Sequence, residues 1–284
     1  MKLKNRKIVE KTFKHCCLCI SWITVLLLGL LLLHVLKEGW QYLDTHFLSN
    51  FQSRFPHKAG IKAGIWGTCW LILLTALISV PIGIGSAIFL EEYGVKGRWG
   101  KIIEINVANL AGVPSIVYGL LGLAIFVRFF SLGRSLLSGA LTLSLLIMPI
   151  IIVSAREAIR SVPNAIRMAA FALGVEKRHV IWGQVLPMAL PGIMTGVILS
   201  LSRAIGETAP LIIVGALTYV AFIPQSPTDE FTVLPLQIYN WASRPQEEFH
   251  SLSASGIIVL LAVMITMNFI AVIIRQRSSK RINL

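Results

Sequence analysis

The feature that most limits what this chain can become is the recurrence of apolar runs about as long as a bilayer is thick. Residues 18–36, 64–90, 105–127, 136–154 and 256–274 contain no Asp, Glu, Lys or Arg, and a further apolar run lies within residues 188–220. A helix needs about 20 such residues to cross the ~30 Å hydrocarbon layer. Hydrophobic residues make up 55% of the 284 positions and charged ones 14%, which is too apolar for a soluble domain. The sequence therefore predicts an all-α polytopic membrane protein with six transmembrane helices.

A net charge of +13 would suggest nucleic acid in a soluble chain, so its placement matters. Of the 26 Lys and Arg, 18 fall in segments 1–17, 91–103, 155–187 and 275–284, and seven in 37–63, 128–135 and 221–255. Basic residues concentrate on the cytoplasmic side of membrane proteins. The bias predicts a multi-pass chain with both termini cytoplasmic, surrounded by membrane lipid, and no nucleic-acid partner. The run 18–36 is too long for the core of a secretory signal, and Lys37-Glu38-Gly39-Trp40 offers no small-x-small cleavage site, so it reads as an uncleaved first span. Residues 1–63 then form a tail, the first helix and an external segment; residues 64–284 form a core of five helices with a cytoplasmic loop at 155–187.

That loop has an apolar stripe at Ala158/Ile159, Val162, Ile166, Ala169/Ala170 and Leu173, with Arg160, Asn164 and Arg167 beside it. Ser161 is a candidate cap, Pro163 suits a first helical turn, and Gly174 stands where a helix ends in a left-handed residue. A second short helix is expected to reach Leu186. On pattern alone, an amphipathic helix lying on the membrane surface fits equally well.

Met168-Ala169-Ala170, three residues, Gly174, nine residues and then Gln184-Val185-Leu186-Pro187 resembles the EAA loop of ABC importer permeases. Met168 stands at the Glu position and Gln184 at the Ile position. Two further stretches, Asn109 to Gly122 (NLAGVPSIVYGLLG) and Ser202 to Pro210 (SRAIGETAP), together with Leu90-Glu91-Glu92-Tyr93, are similar to PstA-type permeases of phosphate importers. The likeness is collinear over roughly residues 60–275. It implies a type I ABC importer fold in a bacterial inner or plasma membrane. It implies as partners two ATPase subunits, a second homologous permease and an external phosphate-binding protein. It also implies a coupling role for Asn164, Met168, Ala169, Ala170, Gly174, Leu186 and Pro187, which would dock on an ATPase subunit.

Arg203 falls inside an apolar run, where a charge costs at least about 2.5–3.5 kcal/mol. Glu207, four residues on, is expected to share a helix face with it, together with Ser200 and Gly206. One reading is a neutralising ion pair that locks two helices. The other is a substrate path: a guanidinium keeps its charge and offers a planar fork to two oxyanion oxygens. Ser115, after Pro114, could open a half-helix N-terminus toward the same path, and Pro210 suggests a kink beside a cavity.

Signals for catalysis are weak. Gly83-Ile84-Gly85 lacks the third glycine of a dinucleotide loop, and Gly100-Lys101 is no phosphate-binding loop. His15, His34, His46, His57, His179 and His250 show no paired spacing, and the four cysteines, Cys16, Cys17, Cys19 and Cys69, form neither a metal site nor a disulfide framework. No catalytic residue, metal or cofactor is expected, and the chain reads as a transport subunit with ATP hydrolysis in separate subunits. The alternatives are a permease for sulfate, molybdate or phosphonate, and an ATP-independent secondary anion transporter or channel.

Overall fold

A computed structural model of the protein describes residues 3–94, 97–216 and 219–280. Lys2, Lys96 and Arg281, counted among the basic segments above, lie outside the described residues. The chain is helical in its apolar runs. Helices α1 (Leu3–Gly39), α3 (Lys62–Ile88), α6 (Leu136–Arg160), α9 (Leu186–Gly206) and α12 (Glu247–Lys280) carry five spans. Shorter pieces connect them: α2 (Thr45–Ser49), α4 (Arg98–Ala111), α5 (Ser115–Gly122), α7 (Asn164–Ala172), α8 (Lys177–Val180), α10 (Ala209–Val214) and α11 (Leu234–Ala242).

The sixth span is not straight. Residues 105–127, expected as one helix, divide at Gly112-Val113-Pro114 into Gly100–Ala111 and Ser115–Phe129, which meet at 97°. Pro114 has an extended ψ of 138°, and its ring removes the N–H that would continue the α4 ladder. The Leu110 carbonyl, which cannot receive an N–H from Pro114, accepts from the Val113 N–H at 3.1 Å and from the Tyr118 hydroxyl at 2.8 Å, so the bend is tied across its two arms.

The bundle is organised around α6. Ala140, Leu143, Ile147, Ile151, Ala155 and Ile159 are buried at mostly four-residue steps, which draws a single ridge along one side. On that side lie α3 and α9. In hydrocarbon, apolar side chains gain little by leaving lipid, so close backbone approach and polar contacts hold such seams. Ser144 Oγ donates to the Thr75 carbonyl at 3.3 Å and Thr75 Oγ1 to the Ala140 carbonyl at 3.5 Å. Helix α1 packs on α12 toward Gly39, with Val35 and Gly39 buried, and residues 11–28 are exposed.

The two ends differ. At one, α2 starts on Asp44, whose Oδ1 accepts from the Phe47 N–H at 2.7 Å, and Phe47 packs on Trp241 of α11 with ring centroids 5.8 Å apart. Ala59, Ile61, Leu234, Phe249 and Leu252 complete this small second core. The other end holds α7, α8 and most of the charged side chains that pair.

Two expectations about helix ends need correction. The helix after Gly174 was expected to stop near Leu186, but Lys177–Gly206 is one continuous span, with a wide π-type turn at Ile181–Val185 leading into Pro187 and Pro191 accommodated inside α9. Ser161 does not cap α7. Its Oγ donates to the Ala158 carbonyl at 2.8 Å and so closes α6, while α7 begins after Pro163.

Candidate functional site

At the charged end, α7 leaves the bundle as a short surface helix with an abrupt stop. Gly174 has φ +78°, in the left-handed region that costs a residue with Cβ roughly 1–2 kcal/mol. There the Val175 N–H donates to the Ala170 carbonyl at 3.2 Å and the Gly174 N–H to the Phe171 carbonyl at 2.9 Å, the paired closure of a Schellman motif. Met168 and Leu173 are 67% and 84% exposed, and Ala169 and Phe171 are exposed beside them. Ala170 and Leu186 instead pack against the main core, and Pro187 is half-buried. The expected coupling residues therefore divide: Met168 and Ala169 face outward on α7, while Ala170, Leu186 and Pro187 brace it. Asn164 Oδ1 accepts from Arg167 Nη1 at 3.3 Å, which makes it an orienting group for that arginine.

The pattern did not reveal what fastens α7. Arg167 Nη2 reaches Glu92 Oε1 at 2.9 Å and the Ile159 carbonyl at 2.9 Å, and its Nη1 reaches the Val162 carbonyl at 2.7 Å. One guanidinium thus ties α7 to the chain just past α3 and to carbonyls at and just past the end of α6, where a cation is favoured. Arg156 pairs with Glu91 at 3.2 Å and Arg160 with Glu91 at 3.1 Å, and both lie 3.5–3.6 Å from Glu104 of α4. Lys177 donates to the Glu92 carbonyl and stands 4.7 Å from the Tyr93 ring centroid. The available signal was a pair of carboxylates closing an apolar run and three arginines in the loop, with no spacing to say that they meet.

The second candidate region lies beyond α9. Helix α9 ends at Gly206, and Glu207 has extended angles, φ −76° and ψ 122°. The expected shared helix face is therefore absent. Arg203 Nε still donates to Glu207 Oε1, at 3.4 Å across the helix end, with the two side chains 53% and 18% exposed. Ser200 does not join them on an open face: it is buried and its Oγ donates to the Gly196 carbonyl at 2.8 Å. The expected kink at Pro210 is a full break, since α10 starts afresh at Ala209. Ser115 stands at the first turn of α5, half-buried and without a side-chain hydrogen bond among the described residues. Helices α5 and α10 pack together. At Gly119 an added Cβ would lie 2.8 Å from the Pro210 Cα, so only glycine allows that approach.

A profile of the family described as binding-protein-dependent transport system inner membrane component matches residues 79–283. The chain is 31% identical to the probable ABC transporter permease protein YqgI of Bacillus subtilis (strain 168) over 257 residues, covering 89% of this chain and 86% of that one. It is 32% identical to the phosphate transport system permease protein PstA 1 of Mycobacterium tuberculosis (strain ATCC 25618 / H37Rv) over 251 residues, 87% of this chain and 78% of the other. Among solved structures, a chain of a bacterial alginate ABC transporter, in complex with an alginate-bound periplasmic protein, superposes with TM-score 0.68 at 16% identity over 98% of both chains. An inward-facing MetNI methionine ABC transporter gives 0.63 at 17% identity, over 76% of this chain and 94% of that one. At these identities the structures establish a shared fold and carry nothing about substrate.

Proposed function

Because the chain belongs to the family of binding-protein-dependent transport system inner membrane components, we propose that it is the transmembrane permease subunit of an ATP-driven inorganic phosphate importer. Residues 1–63 serve as an added anchor and 64–284 as the permease core. The charged end faces the cytoplasm, where both termini lie. The partners are two ATPase subunits, a second permease of the same fold and an external phosphate-binding protein. A cysteine at Ser226 is then labelled from outside by an impermeant reagent and one at Ser161 is not; the reverse pattern overturns this orientation.

The observation that carries the substrate reading is Arg203, exposed on an otherwise apolar span and paired with a single carboxylate at 3.4 Å. A buried structural pair would be desolvated and closely hydrogen-bonded. Arg203 instead keeps donors free, and its planar fork fits two oxygens of a tetrahedral oxyanion. Glu207 opposes the bound anion, holds the guanidinium in line when the anion is absent, and so favours release after each passage. Names of relatives that specify phosphate transport support phosphate over sulfate, molybdate or phosphonate. ATP-driven closure of the partner subunits moves α7, and the bundle exchanges outward- and inward-open forms.

Removing both charges tests this. If the pair only stabilises the bundle, Arg203→Ala with Glu207→Ala leaves no stranded charge and restores both assembly and phosphate uptake. The expected result is normal complex yield with uptake reduced on the order of a hundredfold or more, the loss of a charge-assisted bidentate contact. Uptake near the wild-type rate in that variant removes Arg203 from the substrate path.

A further inference from the structure

The apolar interior of α12 carries one amide side chain, Asn268. Its Oδ1 accepts from Ser202 Oγ of α9, the residue next to Arg203. Seven residues further along α12, Arg275 Nη1 donates at 3.0 Å to Thr195 Oγ1, which precedes Ser202 by seven. In an antiparallel pair, equal steps of seven make these two rungs of one ladder, about 10.5 Å apart along the axis. Thr195 Oγ1 accepts from Arg275 while donating to the Pro191 carbonyl at 2.8 Å, and Ser202 Oγ shares its single proton between Asn268 Oδ1 and the Ile198 carbonyl, 2.7 Å away.

Helices α9 and α12 pack together, and Leu201 of α9 with Leu260, Met264 and Met267 of α12 are apolar side chains half-buried against the main core. Such contacts do little to fix rotation of a helix about its own axis, because lipid tails replace them at small cost; directional rungs do fix it. Neighbouring residues on a helix are about 100° apart. Holding Ser202 against α12 therefore turns Arg203 about 100° away from the α12 contact, where its side chain is 53% exposed.

The geometry points to Ser202, Asn268, Thr195 and Arg275 as positioning residues for transport: two polar rungs set the azimuth of α9, and with it the direction in which Arg203 presents its guanidinium. None of the four is asked to touch the anion. The inference deepens the reading of Arg203 as the anion-facing residue and rests on it.

The test uses the assembled importer in proteoliposomes, with Cys16, Cys17, Cys19 and Cys69 replaced by Ser and Arg203→Cys introduced. The rate at which a cationic, membrane-impermeant thiosulfonate modifies that cysteine reports the azimuth directly. Asn268→Leu and Ser202→Ala each slow modification by about threefold to twentyfold, the shift one interhelical hydrogen bond in a membrane supports. Ser202→Thr keeps the hydroxyl and the rate. With Arg203 in place, Asn268→Leu raises the KM for phosphate uptake more than it lowers the maximal rate. Should Asn268→Leu not assemble, Ser202→Ala, which deletes a single oxygen, decides alone. Unchanged modification overturns the proposal, and so does a lower complex yield with unchanged modification, since the rungs then only bind the helices together. The labelling involves no phosphate. If Arg203→Ala imports normally while labelling still responds, the substrate reading fails and the rungs stand; if labelling is indifferent while Arg203→Ala is inactive, the reverse holds.

Discussion

Arginine meets glutamate in two regions of this bundle, under opposite conditions. At the charged end, Arg167 and Glu92 lie 2.9 Å apart with side chains 14% and 10% exposed, and Arg167 also serves two backbone carbonyls. Arg156, 11% exposed, is held by Glu91 and Glu104 in a similarly dry place, while Arg160, 46% exposed, is fastened by the number of its carboxylates, Glu91, Glu104 and Glu157, rather than by dryness. At the end of α9, Arg203 has one carboxylate at 3.4 Å and more than half of its side chain open. The residue types are the same. What differs is how many acceptors each guanidinium has and how dry they are, and that separates a fastening from a group kept available. A desolvated arginine with every donor engaged has nothing left for a ligand, whereas an open one with a single, loosely held partner has.

The sharpest way to break this contrast is at the fastening. Glu92→Ala strands the Arg167 guanidinium in a largely dry site, at a cost of about 3–5 kcal/mol. The expected outcome is little assembled complex in membranes, with most of the yield recovered on adding Arg167→Ala. The recovery is incomplete because the Ile159 and Val162 carbonyls lose their donor. At the open site no such recovery of transport occurs. Good assembly of Glu92→Ala alone would erase the distinction.

A smaller effect sharpens the other side of the comparison. Arg203→Lys keeps the charge but loses the fork, and one charge-assisted hydrogen bond fewer slows phosphate uptake about tenfold or more at unchanged complex yield. Uptake equal to that of the wild type would mean that position 203 supplies charge alone.

Next in size is Gly174→Val, which places a β-branched residue at φ +78° for about 1–2 kcal/mol of local strain. The fastening survives, yet the turn that presents Met168 and Ala169 does not. The variant is expected to insert normally and to lose the ATPase subunit on purification; full recovery of that subunit counts against α7 as the docking helix.

The smallest effect belongs to an exposed carboxylate at the far end. Asp229 Oδ2 accepts from the backbone N–H groups of Gln225 at 2.8 Å and Ser226 at 2.9 Å, and these bonds hold its pKa below the ordinary carboxylate value. A lowered folded-state pKa stabilises the turn above the unfolded carboxylate range, and the contribution is lost as the pH falls through the folded-state value. Protection of the Gln225 and Ser226 amides, measured against their intrinsic exchange rates at each pH, should therefore fall on acidification, and Asp229→Asn should abolish that pH dependence without altering uptake.

Much of the architecture could be read from residue order. The long uncharged runs recur as helices, and Gly174 stops α7 in the expected conformation, because hydropathy and the missing Cβ act locally. The right angle at Gly112-Val113-Pro114 could be read only as an interruption, since the direction of a break depends on what packs beyond it. Glu207 was placed on a helix face although Gly206 and Pro210 are both stop signals, because the apolar run continues past them and reads as one span. The fastening of α7 was hidden for another reason: Glu92 and Arg167 are far apart in sequence, and a charge near an apolar run looks the same whether it meets lipid headgroups or a partner. Asn268 was equally silent until Ser202 stood opposite it.

The unbroken run from Lys177 to Gly206 has a mechanical consequence. Thirty residues make a rod about 45 Å long, so a tilt of about 5° pivoting at the α7 end sweeps the Arg203 end through about 4 Å, more than a hydrogen-bond length. The wide turn at Ile181–Val185 and the prolines at 187 and 191 offer compliance along that rod, and they lie in its α7-side half. If α7 is the docking helix proposed above, torque applied through it is absorbed or delivered within this stretch, and a stiffer stretch gives a longer stroke at the guanidinium. Spin-label distances from residue 176 to residue 206, taken with and without nucleotide, measure how much of the stroke survives.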